Sequence, residues 1–220
     1  MRTVIFDLDG TLADTSGDLI AAANFCFREI GLGDLLHFPK DSGIALRGGR
    51  MMLRHGLKRG GCYDEAEVMR LYPQLLSAYA TSIDKYTVLY PGVIEAIEKL
   101  RNNAFVVGIC TNKPEALAEQ LIKRLGVLDY FSSLVGADTL AVAKPDPAPL
   151  YAAIERAGGN AKRACLVGDS ITDRDTARAA NLPSILVTFG PSGEEMAALN
   201  PDALLPSYND LQNIVENLVT

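Results

Sequence analysis

Residues 4–15 read VIFDLDGTLADT. Val4, Ile5 and Phe6 have the character of a buried strand, and Asp7 and Asp9 follow with only Leu8 between them. Residues two apart on a strand share a side, so a core strand would deliver two carboxylates to one place. Burying unpaired charge is costly. A positive group must therefore sit between these acids, or the segment is not a strand.

The rest of the chain supports the strand. From about residue 90, short apolar runs alternate with helical patterns. AFVVGICTN, SSLVGAD, RACLVGDS, PSILVTFG and a weaker DALLP read as strands. PGVIEAIEKLRNN, KPEALAEQLIKRLGV, DPAPLYAAIERAGG, DRDTARAANL and YNDLQNIVENLV read as helices. Pro114 stands at the first turn of the second helix and Gly126 at its end. Alternation of this kind predicts parallel βαβ units, and strands without a polar face predict a sheet covered on both sides. The expected fold is α/β, a Rossmann-like doubly wound parallel sheet. Residues 15–85 differ: three helical patterns occur there and no convincing strand. The expected organisation is a catalytic core of residues 1–14 and 86–220, with 15–85 inserted as a helical cap.

The bulk numbers fit one such molecule. The chain has 220 residues, 48% of them hydrophobic, and a formal net charge of -6. An acidic chain repels phosphate backbones and anionic lipid, which argues against nucleic-acid and membrane partners. The opening residues lack a cationic segment followed by an apolar run, and nothing approaches the roughly 18 apolar residues of a membrane span. The four cysteines, Cys26, Cys62, Cys110 and Cys165, have no C-x-x-C spacing. They read as free thiols in a reducing compartment, the cytoplasm.

The unusual polar residues gather at strand ends. Asp7 and Asp9 follow the first strand, and Thr111 and Asn112 follow VVGIC. Lys144 precedes a helix just after a strand, Asp169 follows CLVG, and Asp173 comes one helical turn later. In an open parallel sheet the carboxyl ends of the strands are where ligands bind. Two carboxylates ~4 Å apart repel by about 4 kcal/mol at an effective dielectric of ~20. Lys144 alone cannot offset several such contacts. Carboxylates and a backbone carbonyl suit Mg²⁺, a hard octahedral ion, and the lack of nearby His or Cys argues against zinc.

A Mg²⁺ site beside a lysine, a threonine hydroxyl and backbone N–H groups is a phosphate site. The chemistry assigned on that basis makes Asp7 the nucleophile and Asp9 the general acid, then base. Thr111, Asn112, Lys144 and Gly10 would hold the phosphoryl oxygens, with Lys144 balancing developing charge. Asp7, the Asp9 backbone carbonyl and Asp169 would bind the metal, and Asp173 would orient that shell. Thr111 and Asn112 would also cap the helix that follows. Arg47 and Arg50, flanking GG in the insert, suit a substrate carboxylate; a solvated helix face accounts for them equally well.

DLDGTLADT, TNK, KPDP and GDSITD, in this order, resemble the four motifs of the haloacid dehalogenase-like hydrolases. The resemblance implies an Asp- and Mg²⁺-dependent phosphoryl-transfer enzyme with a cap after the first motif. Asp9 favours the phosphatases and phosphomutases over the dehalogenases, whose first motif lacks this second acid. ALRGGRMMLRHGL, YPGV and VGDSITDRDTARAANLPSILVTFG are similar to the phosphoglycolate phosphatase branch. Two departures stand out. Asn181 occupies a position where glycine is usual, and RGG replaces a G-N-G-like sequence in the cap. The function expected is hydrolysis of a small phosphorylated metabolite, 2-phosphoglycolate above others, by a monomer or homodimer. A phosphosugar mutase on the same core and a phospho-Asp signalling or binding protein are the alternatives.

Overall fold

The structure, a computed structural model, describes residues 1–219, the side chain of Glu194 excepted. The chain divides into two compact units, residues 1–13 with 89–219, and residues 14–88.

The first unit is built on six strands. β1 (Arg2–Phe6), β4 (Phe105–Cys110), β5 (Leu134–Val135), β6 (Ala164–Gly168), β7 (Ser184–Val187) and β8 (Ala203–Leu205) form one sheet in the order β5-β4-β1-β6-β7-β8. Every pairing in it is parallel. Five helices belong to this unit: α5 (Val93–Asn102), α6 (Glu115–Arg124), α7 (Ala148–Arg156), α8 (Ile171–Ala179) and α9 (Leu211–Leu218). The Rossmann-like reading is correct, and its physical basis is visible in burial. Val4, Ile5 and Phe6 are wholly buried, as is every residue of β6 and β7, so neither sheet face is wet.

The order fixes where a ligand can go. From β1 the chain passes to β4 and β5 on one side, then returns to β6 on the other. β1 lies at the point where the winding reverses, the place where a crevice opens at the strand C-termini. Phe6 pairs with Ile109 and with Val167, so the residues after β1, β4 and β6 emerge side by side.

The second unit is helical: α1 (Ser16–Glu29), α2 (Ser42–Ala45), α3 (Gly49–Arg59) and α4 (Glu65–Thr81). Phe27, Met52, Leu53, Leu57, Leu71 and Leu75 form its apolar interior. Gly56 of α3 lets the helices meet, because a Cβ there would stand 2.1 Å from the Phe27 ring. Asp64 caps α4 by accepting a hydrogen bond from the Ala66 amide. The buried Asp18 carboxylate, in the first turn of α1, accepts from the backbone amides of Tyr86 and Thr87 and from the Thr87 hydroxyl, at 2.8–3.1 Å. It thereby ties the beginning of the unit to its end. Both crossings between the units run through a two-stranded sheet, β2 (Ala13–Asp14) with β3 (Val88–Leu89). The sequence gives no sign of this ribbon, because two-residue strands are too short to show a period.

Candidate active site

Each candidate side chain in the first unit has a local reason for its place. Asp7 follows β1, and its amide donates to the Val167 carbonyl at 2.8 Å, extending the ladder by one residue. The chain then folds back: the amides of Leu12 and Ala13 donate to the Leu8 carbonyl, and that of Gly10, at φ 80°, donates to the Ala13 carbonyl. Across this turn the Asp9 charge stays close enough to act on Asp7. Thr111 continues β4, its amide donating to the Val135 carbonyl.

Asp169 and Asp173 frame the start of α8. The Ser170 hydroxyl caps that helix by accepting from the Asp173 amide. The Asp173 carboxylate in turn accepts from the Ser170 hydroxyl at 2.5 Å and the Asp169 amide at 3.2 Å. Gly168 makes this possible, since a Cβ there would lie 2.3 Å from the Asp173 carboxyl carbon. Asn181 after α8 adopts φ 52°, a left-handed conformation that asparagine accepts more readily than most residues.

Lys144 joins the two acid groups. Its ammonium lies 2.6 Å from Asp173 Oδ1 and 3.1 Å from Asp7 Oδ1, with the side chain almost wholly buried. Lys144 does not directly follow a strand, as the sequence reading expects. β5 ends at Val135, and Lys144 lies in the long segment before α7. The Asn112 side-chain amide donates to the Lys144 carbonyl at 2.9 Å, anchoring that segment to the end of β4. The expectation that Thr111 and Asn112 cap the next helix is corrected. Pro114 occupies the cap position of α6 with no side-chain capping bond, and the Asp138 carboxylate accepts the Glu115 amide. The Thr111 hydroxyl instead accepts from the Lys113 amide.

A residue that sequence reasoning left without a role is Lys113. Its ammonium donates to both oxygens of Asp9, at 2.7 and 2.8 Å, and the residue is 6% exposed. The available signal was spacing: Lys113 stands two residues after Thr111, as Asp9 stands two after Asp7.

The electrostatics follow from this crowding. One oxygen each from Asp7, Asp169 and Asp173 lie within 4.8 Å of one another. Burial pushes the Asp7 carboxyl up to about 6; the Lys144 charge opposes that rise, and Asp173 and Asp9 add to it. Burial, then the charges of Asp173 and Asp7, holds Asp169 well above the ordinary carboxylate range. Burial works against the Lys144 ammonium, but Asp173 and Asp7 outweigh it and hold the lysine charged. With all four acids ionised, as metal ligation requires, four carboxylates face two ammoniums and two negative charges are unbalanced. One divalent cation cancels them. Asp7 Oδ1 is buried and, although near Lys144, accepts no hydrogen bond. A buried carboxylate oxygen with an unused lone pair, beside other hard oxygen donors, is what a metal ligand requires.

The two arginine candidates belong to the helical unit. Arg47 follows α2 and Arg50 lies in the first turn of α3, where its guanidinium stacks 4.0 Å above the Tyr72 ring.

The sequence model of the haloacid dehalogenase-like hydrolase family matches residues 4–187. A phosphoglycolate phosphatase of Mesorhizobium japonicum is 39% identical over 220 residues, spanning 98% of this chain and 96% of the relative. One from Agrobacterium fabrum is 37% identical over 210 residues, spanning 93% and 88%. Among solved structures, a Haemophilus somnus 129PT protein described as a phosphoglycolate phosphatase superposes with TM-score 0.82 at 25% identity, over 97% of each chain. A Thermotoga maritima protein described as a β-phosphoglucomutase superposes with TM-score 0.72 at 22% identity over the whole of both chains, a likeness of fold alone.

Proposed function

Because the chain belongs to the haloacid dehalogenase-like hydrolases, we propose that it is a Mg²⁺-dependent phosphatase. It hydrolyses a small phosphomonoester through an aspartyl-phosphate on Asp7. The observation that carries this reading is Asp7 itself: a buried carboxylate at the switch point of the sheet, one oxygen free of hydrogen bonds, 3.1 Å from a buried lysine and two residues from a second acid. The similarity to phosphoglycolate phosphatases along nearly the whole chain supports 2-phosphoglycolate as substrate.

The residues divide the work. Asp7 attacks phosphorus along the open side of the site. Asp9 gives a proton to the departing ester oxygen and later takes one from the water that attacks the phosphoaspartate. Lys144, fixed from behind by Asp173, balances the charge that develops on the phosphoryl oxygens. Thr111, Asn112 and the Gly10 turn shape the cradle around them. Asp7, Asp169 and the Asp9 carbonyl supply hard oxygen ligands, and Asp173, already bound by Lys144, Ser170 and the Asp169 amide, holds that set in place. When bound there, Mg²⁺ supplies positive charge that neutralises the acids and polarises the phosphoryl group. The helical unit is assigned the role of a cap that selects substrate and excludes water. Four free cysteines fit a cytoplasmic setting, and monomer or homodimer both fit a single-chain site.

Phosphate release from 2-phosphoglycolate and a panel of phosphate esters tests the reading. Activity should require Mg²⁺ and fall at least about a thousandfold in Asp7→Asn, because the nucleophile is lost. Full turnover by Asp7→Asn would remove the mechanism. Interconversion of hexose phosphates without phosphate release would make the protein a mutase.

A further inference from the structure

Asp9 is covered from the buried side by Lys113, and no step above uses that lysine. Its ammonium binds both carboxylate oxygens, while its amide is fixed by the Thr111 hydroxyl at the end of β4. The Asp9 side chain keeps 17% of its surface open and that of Lys113 only 3%. A group that receives a proton from Asp9 must lie within hydrogen-bond reach of its carboxyl. It therefore approaches from the open side of the same carboxylate that Lys113 holds from within.

We infer that Lys113 reads the charge of the leaving group, and so selects phosphate esters whose alcohol carries a carboxylate close to the ester oxygen. This rests on the phosphatase reading above. To face the ester oxygen, one Asp9 oxygen must leave Lys113. An acceptor on the departing alcohol can take its place on the ammonium. A carboxylate makes a charge-assisted bond there, whereas a neutral group cannot replace the charge that Asp9 withdrew. Of the two arginines considered for this task, Arg50 is stacked on Tyr72, and Lys113 is the cation already held against the proton donor.

The step balances. The Asp7 oxygen bonds to phosphorus as the ester P–O bond breaks. Asp9 takes a proton from solvent as one of its oxygens leaves Lys113 and passes it to the ester oxygen, and the alcohol leaves with its carboxylate unchanged. Asp9, now a carboxylate again, recovers both bonds to Lys113 and displaces the departing acid. Water can then reach the phosphoaspartate, with Asp9 free to take its proton. Lys113 thus couples release of the first product to the second half of the reaction.

The test compares 2-phosphoglycolate with 2-hydroxyethyl phosphate, which puts a neutral hydroxymethyl group where the carboxylate stands. It uses the intact Mg²⁺-loaded protein, Lys113→Gln and Lys113→Arg. The native protein should prefer the anionic ester. Lys113→Gln should lose about 10- to 100-fold more kcat/KM on that ester than on the neutral one, and Lys113→Arg should keep the preference. Equal losses on both esters, or none, would overturn the inference, since a lysine acting only through Asp9 cannot distinguish them. Calorimetric binding of 3-phosphonopropionate against propylphosphonate gives the same comparison without turnover. If the native protein hydrolyses neither ester but binds the anionic phosphonate through Lys113, the hydrolase reading fails, and what stands is Lys113 as the group that recognises a ligand carboxylate. Equal affinity of native protein and Lys113→Gln for the anionic phosphonate overturns it.

Discussion

Stripped of divalent cations, the protein should lose stability as pH rises from about 4 to 6. The cause is Asp7, whose carboxyl burial has pushed up to about 6 from an ordinary value of 3.8. In that interval the unfolded chain has released this proton and the folded chain still holds it. The native state binds more protons, so stability falls with rising pH. The contribution is complete below 3.8 and gone above about 6. A gap of roughly two units at 1.36 kcal/mol each amounts to about 3 kcal/mol from Asp7, and Asp169, also raised, adds in the same direction. A bound cation prefers the ionised carboxylates, so excess Mg²⁺ should abolish the decline. Urea unfolding across this pH range, in EDTA and in excess Mg²⁺, measures the effect. Asp7→Asn, which cannot titrate, should flatten the EDTA curve by its share. A metal-free stability that is level or rises between pH 4 and 6 would refute the reasoning. So would an Asp7→Asn curve with the native slope.

Two further outcomes follow from other contacts. The Asp41 carboxylate, 4% exposed, accepts two bonds from Arg59 at 2.7 and 2.8 Å and one from the His37 amide, and the bonds from Arg59 hold its carboxyl down at about 2. Its stabilisation is therefore present above pH 4 and fades as pH falls toward 2; Asp41→Asn should cost the helical unit about 2 kcal/mol at neutral pH, read by hydrogen exchange in α2 and α3. Gly168→Ala would drive a methyl into the Asp173 carboxyl. Overpacking of this kind costs about 1–3 kcal/mol, and displacing the partner of Lys144 should lower kcat at least tenfold with little change in KM.

What the sequence made legible has a simple physical boundary. β1 from Val4 on, β4, β6 and β7 from Ile185 on are unbroken apolar runs because both faces of the sheet are dry, and the polar residues after β1, β4 and β6 mark its functional edge. That edge brings Asp7, Lys144, Asp169 and Asp173 into contact from three segments far apart in the chain. The ribbon of β2 and β3, and the single-turn α2, were invisible because they are shorter than any hydrophobic period. The Asp9–Lys113 pair was hidden for another reason. It joins residues 104 positions apart, and only the register of β1 against β4 sets one carboxylate beside one ammonium. The Asn112–Lys144 bond is hidden as well, because it links two segments of no regular structure.

The ribbon and the Asp18 tie also bear on how the molecule is made. Pairing β1 with β4 closes a loop of roughly a hundred residues, and closure entropy grows with loop length. The helical unit occupies most of that loop, and its ends are joined to each other through Asp18, Tyr86 and Thr87. Once that unit has folded, the remaining flexible loop is short. The helices of residues 16–81 emerge from the ribosome before β4 and are rich in local contacts, so their early folding would set the two central strands of the sheet within reach of each other.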